Sequence, residues 1–397
     1  VMLLDLLLLV LAVPVLAASG YLLLLTLLSG LKPAPPPVAP RLKFDVIIPS
    51  HNEEAGIATT VRNLSGVDWP TALRRIVVVA DNCSDATAER AREAGATVLV
   101  RHNQELRGKG YALQLAFETS LKDGFADAVV VVDADTQVTP NLLHAFALRL
   151  EAGAHAVQAH YGVLNPEASW RTRLMAVAMA LFHKVRSMGR ERLGVSCGLR
   201  GNGMCFTHAI IRRVPHEAFS IVEDLEYGIR LGQAGERVHY AWEAEALGEM
   251  VSGEKASRSQ RRRWEGGRLA MMRQHGLPLL AEGLRKRDRV LVDLAADLLV
   301  PPLSWVVLGA GALTVASLAL SWAQGSVAVS AWVASACVLS LVAYVMRGWW
   351  VSGQGVQGLF ALARAPFYVA WKLWLLVSRP AEKKGEWVRT TREGQKP

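Results

Sequence analysis

Charge is missing from three long stretches of this 397-residue chain. Residues 6–31, 300–320 and 327–346 contain no Asp, Glu, Lys or Arg. Each is about as long as the roughly 20 residues a helix needs to cross bilayer hydrocarbon. A fourth apolar stretch, 358–377, is broken by Arg364, Pro366 and Lys372. Cysteine is scarce as well. The four cysteines, at 83, 197, 205 and 337, form no Cys-x-x-Cys pair, which argues against a zinc cluster and a disulfide framework and for reduced thiols. No Gly-x-Gly-x-x-Gly follows the first strand pattern, which disfavours a dinucleotide fold. Arg107-Gly108-Lys109-Gly110 is not a phosphate-binding Walker loop, because Gly110 stands where Ser or Thr is required, and there is no His-Glu-x-x-His.

The net charge of +9 does not point to nucleic acid, because of where the charge lies. Arg258, Arg261, Arg262, Arg263, Arg268 and Arg273 precede the second apolar stretch, and Lys32, Arg41 and Lys43 follow the first. Basic flanks of this kind face the cytoplasm. The expectation is a multi-pass protein of the inner (cytoplasmic) membrane with the intervening region on the cytoplasmic side. The first stretch reads as a retained anchor over 1–31 rather than a cleaved leader: it has Asp5 where a basic start belongs, it is long, and no small-x-small site follows. Residues 32–41 form a stiff Pro-rich linker. A catalytic domain is expected over 42–284 and a membrane region over 285–378, with spans near 300–320 and 327–346. The stretch 358–377 should lie in the interface or re-enter, ahead of a basic cytoplasmic tail, 379–397.

Within 42–284, β-rich runs (44–48, 76–80, 97–100, 128–132) alternate with helical patterns (53–64, 85–94, 108–122). That alternation predicts a mostly parallel α/β sheet with flanking helices. Ligands bind beyond the carboxyl ends of such strands, and those ends are polar: Pro49-Ser50-His51-Asn52-Glu53, Asp81-Asn82-Cys83-Ser84-Asp85 and Asp133-Ala134-Asp135. An Asp-x-Asp alone is also what a solvated turn looks like. Placed after Val129-Val130-Val131-Val132, it suits a hard cation and phosphate oxygens. Glu223-Asp224 offers a carboxylate to take a proton from an attacking hydroxyl, or merely an acidic helix start. Gln260-Arg261-Arg262-Arg263-Trp264 offers an amide, a guanidinium fork suited to diphosphate and an aromatic face.

The order Pro49…Asn52-Glu53, Asp81…Asp85, Arg107-Gly108-Lys109-Gly110, Asp133-Ala134-Asp135, Glu223-Asp224 and Gln260-x-x-Arg263-Trp264 resembles the family 2 inverting glycosyltransferases. Cellulose, hyaluronan and poly-N-acetylglucosamine synthases belong to that family. The resemblance runs from about Phe44 to Met272. It implies a GT-A fold (Rossmann-like, with transmembrane and interfacial helices added here), a nucleotide-sugar donor such as a UDP-sugar, and Mg2+ or Mn2+. It implies roles too. Pro49, Asn52, Glu53, Asp81 and Lys109 would hold the nucleotide, Asp133 would face it, and Asp135 would bind the metal. Gly201, Asn202, Gly203 and Glu223 would line the donor pocket, Asp224 would be the general base, and Gln260, Arg263 and Trp264 would close over diphosphate and acceptor.

The implied acceptor is a glycan or a lipid-linked molecule at the bilayer, in exopolysaccharide or envelope glycan synthesis; single-sugar glycolipid formation is the alternative, and homo-oligomers or partner subunits stay open. An inactive binding module would be expected to lack Asp135, Asp224 or Arg263, and all three are present. Two departures from the family pattern stand out. Val222 replaces the usual Thr before the acidic pair, and the gating loop of cellulose synthases is missing, with Trp387 and Arg389 in the tail as candidates for its nucleotide contacts.

Overall fold

The structure, a computed structural model, describes residues 2–30, 32–250 and 254–365, with the side chains of 254–263 outside the description. Pro366 to Pro397, and with them Trp387 and Arg389, lie outside the described residues.

After helix α1 (Met2–Leu28) the chain enters the sheet with β1 (Phe44–Ser50), followed by α2 (Ile57–Ser65), β2 (Arg74–Asp81), α3 (Thr87–Glu93), β3 (Thr97–Arg101), α4 (Lys109–Asp123) and β4 (Ala128–Val131). Next come β5 (Thr136–Val138), α5 (Leu142–Glu151), β6 (Ala156–Val163) and a long helix. That helix begins as α6 (Trp170–Met179), passes through a π-helical stretch, Ala180–Val185, and continues as α7 (Arg186–Leu193). β7 (Met204–Thr207), α8 (His208–Arg213), α9 (Glu223–Gln233) and β8 (Val238–Gly248) complete the domain. Helices α10 (Glu254–Lys286) and α11 (Arg289–Leu299) lead to α12 (Leu303–Gln324), α13 (Val329–Val351) and α14 (Gly355–Ala363).

The sheet order is β3-β2-β1-β4-β7-β6-β8-β5. β3, β2, β1 and β4 are parallel, as the alternating pattern predicts, and β6 runs parallel to β8. β7 is antiparallel to both β4 and β6, and β5 to β8. The sheet is therefore a GT-A-like mixed one, and its antiparallel part was not readable beforehand. β5 and β7 have only 3 and 4 residues, and β7 follows the glycine-rich Gly201-Asn202-Gly203 turn rather than a helix.

Strand alternation sends successive side chains to opposite faces, and each face has its own core. Val46, Ile48, Val78 and Val130 pack with Ile57, Val61, Leu64 and Phe146 on one side. Ile47, Val79, Val129 and Val131 pack with Leu113, Phe117, Phe206 and Tyr227 on the other. β1, β2 and β4 are buried on both faces, as covered parallel strands are. Just ahead of α3, the Asp85 carboxylate accepts hydrogen bonds from the Thr87 backbone N–H (3.1 Å) and hydroxyl (2.5 Å).

α1, α12 and α13 are long and apolar enough to cross a membrane, and they pack on one another. Their outward faces present Leu7, Leu11, Val315, Leu318, Trp322, Trp332 and Leu339. α14 has 9 residues, fewer than a span needs. The rest of the 358–377 stretch lies largely outside the described residues.

Candidate active site

The carboxyl ends of β1, β2 and β4 open onto a cavity of about 880 Å³. This is where the parallel strand order reverses around β1, the position at which open α/β sheets bind ligands. Pro49, Glu53, Asp81, Lys109, Asp133 and Asp135 line it from the first half of the domain. Gly201, Glu223, Asp224 and Trp264 line it from the second. The acidic groups picked out in distant parts of the sequence thus meet in one cleft.

Two turns give the strand ends their shape. Asn52 and Asn82 both have positive φ, 56° and 52°, a conformation that Asn tolerates better than most residues. Asn52 does not line the cavity. Its Oδ1 accepts the Ser84 backbone N–H at 2.7 Å and ties the β1 and β2 loops together. Asp81 does face the cavity, with Arg101 Nη1 donating to its carboxylate at 2.6 Å. Arg101 ends β3 and carried no motif to mark it.

Lys109, expected near a base or phosphate, lines the cavity and knits its acids together. Its ammonium donates to Asp133 Oδ1 at 2.5 Å and to the Gly201 carbonyl at 2.6 Å, and lies 3.6 Å from Glu223 Oε1. Burial works against its charge, but Asp133 and Glu223 outweigh that and hold Lys109 above its usual range. The glycine that follows is obligatory. A Cβ on Gly110 would lie 2.1 Å from the Ala218 carbonyl oxygen, where the chain approaches the Glu223–Asp224 helix. Beside it Tyr111 stacks on Phe219 at 4.2 Å between ring centroids.

Glu223 and Asp224 open α9. Burial raises the Glu223 carboxyl to about 7 against the pull of Lys109, with the neighbouring Asp224 adding to the rise. Burial also raises Asp224, while the Leu225 backbone N–H, Lys109 and Arg200 favour its ionised form. Gly201, at φ 80°, passes Asp224 so closely that a Cβ there would meet Asp224 Oδ2 at 3.4 Å. Asn202 and Gly203 lie beneath the cavity, not on it. Asn202 is fully buried: its Nδ2 donates to Thr136 Oγ1 at 2.6 Å and its Oδ1 accepts the Asp133 N–H at 3.2 Å. It fixes the Asp133-Ala134-Asp135 turn from below.

Gln260 and Arg263 sit on α10, and their side chains lie outside the description. Trp264 packs against Tyr161, Val163, Met179 and Met250 at the cavity wall. Sequence reasoning also missed Tyr161, Arg200 and Glu249, all of which line the cavity. The Glu249 backbone N–H donates to the Asp135 carbonyl at 3.2 Å, which sets the β8 end beside the Asp-x-Asp turn. Among the described residues no three His, Cys, Asp or Glu side chains form a ready-made metal cage.

A model of the family described as "Glycosyltransferase like family 2" matches residues 40–267, a span that carries all of these cavity acids. The chain belongs to this family. The glycosyltransferase is 26% identical over 264 residues to the probable glycosyltransferase YdaM of Bacillus subtilis (strain 168), covering 64% of this chain and 60% of that one. It is 30% identical over 235 residues to a beta-monoglucosyldiacylglycerol synthase of Trichormus variabilis, covering 56% and 48%. The chain therefore spans about half to three-fifths of these relatives' length. The solved mannosyltransferase PcManGT from Pyrobaculum calidifontis, in complex with GDP-Man and Mn2+, superposes with a TM-score of 0.54 at 19% identity, over 90% of this glycosyltransferase and 98% of that chain. That likeness is one of fold: GT-A.

Proposed function

We propose that this glycosyltransferase moves a sugar from a nucleoside-diphosphate sugar, a UDP-sugar in the first instance, to an acceptor presented at the membrane. The reading rests on one observation. The cavity that gathers Asp133, Asp135, Glu223 and Asp224 continues along α6 to Val300–Ser304, where the apolar helix α12 begins. A nucleotide at the strand ends and a lipid-borne acceptor at the helix start would share that space. The relatives support a lipid or glycan acceptor: one is named for glucosyldiacylglycerol synthesis and another, of Xanthomonas axonopodis, as a cellulose synthase catalytic subunit. The domain limits 42–284 and 285–378, with the catalytic part on the cytoplasmic side, belong to the same proposal.

Asp224 is the general base. It accepts the proton of the acceptor hydroxyl as that oxygen bonds to the anomeric carbon, and the nucleoside diphosphate leaves from the opposite face with inversion. Lys109 holds Asp133, and through the Gly201 carbonyl it fixes the turn against Asp224. The donor set suits Mg2+ or Mn2+: such cations take one or two carboxylates and complete their shell with substrate phosphates and water, not with a protein cage. Asp135 would hold the ion, with Asp133 facing the nucleotide. When bound, the ion offsets charge on the departing diphosphate. Glu53 and Asp81 bound the nucleoside end, and Gln260, Arg263 and the cavity-lining Trp264 are assigned to the diphosphate and acceptor. A screen of nucleotide sugars for diphosphate release, with and without Mn2+ or Mg2+, tests the reading. Release from no sugar nucleotide under any condition would remove it.

A further inference from the structure

The far end of the cavity carries a cluster that the reaction above does not use. Arg186 and Arg190 on α7, Arg200 before the Gly201 turn and Arg268 on α10 converge on Asp293 and Asp297 of α11. Arg190 Nε donates to Asp293 Oδ2 at 2.6 Å, and Arg186 Nη1 to Asp297 Oδ1 at 3.1 Å. Arg268 reaches the Asp297 carbonyl and lies 3.5 Å from its carboxylate. Four guanidinium groups against two carboxylates leave two positive charges in excess among the described residues.

Arg200 is where the excess is concentrated. It is only 7% exposed, and no carboxylate lies within ion-pairing distance of it among the described residues. Nη2 donates to the Cys197 carbonyl at 3.0 Å, but the buried Nε has no hydrogen-bond partner there. The guanidiniums of Arg200, Arg186 and Arg268 all lie over one ring, Phe182, at 4.3, 4.8 and 4.9 Å from its centroid. All three arginines and Phe182 line the cavity. A buried guanidinium that makes no ion pair and leaves an N–H unpartnered is costly, and its fork matches the oxygens of a phosphate. The wall leading away from it, Leu174, Met175, Ala178, Val300, Pro302 and Leu303, is apolar and ends at the start of α12.

We infer that Arg186, Arg200 and Arg268, gathered around Phe182, form a subsite for the phosphate of a lipid acceptor whose chains lie along the apolar wall. This rests on the proposed function, and it narrows the acceptor from any lipid-borne hydroxyl to one on a phosphate-bearing lipid. Arg200 directly precedes Gly201, where a Cβ would meet Asp224 Oδ2 at 3.4 Å, and both Arg200 and Asp224 line the cavity, so a phosphate held there sets its own headgroup beside the base.

The test uses the full chain in dodecyl maltoside and follows the thermal unfolding midpoint. Dioctanoyl phosphatidic acid, dioctanoylglycerol and inorganic phosphate are each titrated, and UDP with Mn2+ is measured on the same preparations. The expected result is a saturable rise with phosphatidic acid alone. Arg200→Gln weakens it about tenfold or more, as loss of a charged hydrogen-bonding group does, and leaves UDP binding in place. Arg200→Lys, which keeps the charge without the fork, falls between the two. An equal rise with dioctanoylglycerol means apolar binding only, and an equal rise with inorganic phosphate means a free-anion site; either overturns the inference. Competition between UDP and phosphatidic acid overturns it too, by placing the arginines in the donor site. So does wild-type affinity in the variants, and Arg200→Lys decides this alone if Arg200→Gln does not fold. No lipid effect with UDP still bound removes the subsite and leaves the transferase reading standing. Lipid binding without UDP binding fails the UDP-donor reading instead.

Discussion

At the residue scale, the acidic pair that opens α9 sets the pH behaviour. A base works ionised, and burial holds Asp224 above the ordinary aspartate range. Activity is therefore present at high pH and lost as pH falls through that raised value, earlier than an ordinary aspartate would impose. Lys109 favours the ionised forms of both Glu223 and Asp224. Lys109→Met should move the acidic limb of the kcat/KM profile to higher pH, and an unmoved limb would show that the ammonium does not govern the pair. Asp224→Asn should lower kcat by roughly 10²- to 10⁴-fold, the usual worth of a general base, with donor affinity little changed. Diphosphate release and equilibrium donor binding measure the two separately. The pair was legible as a motif, but its pKa was not. The sequence places no lysine near residue 223, and the three segments meet only because α4, the Gly201 turn and α9 converge.

At the scale of elements, close backbone approaches hold the site together. A Cβ on Gly267 of α10 would lie 2.6 Å from Val222 Cγ1 and 2.8 Å from Ile221 Cγ2. The helix that carries Gln260, Arg263 and Trp264 is thus seated on the residues just ahead of Glu223. Gly267→Val should push the two apart. The expected loss is about 1–3 kcal/mol of stability from overpacking, with a larger fall in kcat/KM than in thermal midpoint would suggest; unfolding curves and steady-state kinetics on one preparation compare the two. Val222, standing where the resembling family carries Thr, has its role here as the surface that meets this glycine. Gly110 acts likewise at α4. Gly110→Ala should destabilise the fold because its Cβ meets a backbone oxygen, which cannot swing aside as a side chain would. The parallel strands β1 to β4 and their helices were readable, since hydrophobic period and turn residues are local. β7 was not, because its four residues are chosen by the neighbours they pair with on both sides.

At the scale of the molecule, polar contacts tie the apolar helices to one another and to α11. The Asp5 carboxylate accepts the Val329 and Ser330 N–H groups at 3.1 and 3.0 Å, so it caps α13 from α1. Tyr21 donates to Asp293 at 3.0 Å, and Arg347 Nε donates to Ser29 Oγ at 2.9 Å. Asp297 sits at the hub: burial opposes its charge, yet Arg190, Arg268 and Arg186 keep its carboxyl well below the usual range. Asp297→Ala should cost about 3–5 kcal/mol, the cost of stripping one partner from a buried ionic cluster, read as a lower thermal midpoint of the full chain in detergent. An unchanged midpoint would show that the cluster relaxes without it. By itself the sequence determined the alternating α/β order, the three apolar helices and the identity of the acids at the strand ends, because propensity, period and turn chemistry act over a few residues. Only the tertiary structure decided that Asn52 ties two loops together and Asn202 braces the Asp-x-Asp turn, that Lys109 binds protein carboxylates, and that three arginines pair with two aspartates at the far end of the cavity. Those outcomes depend on which distant segments are brought within a few ångströms, and charge and burial act through that distance rather than through position along the chain.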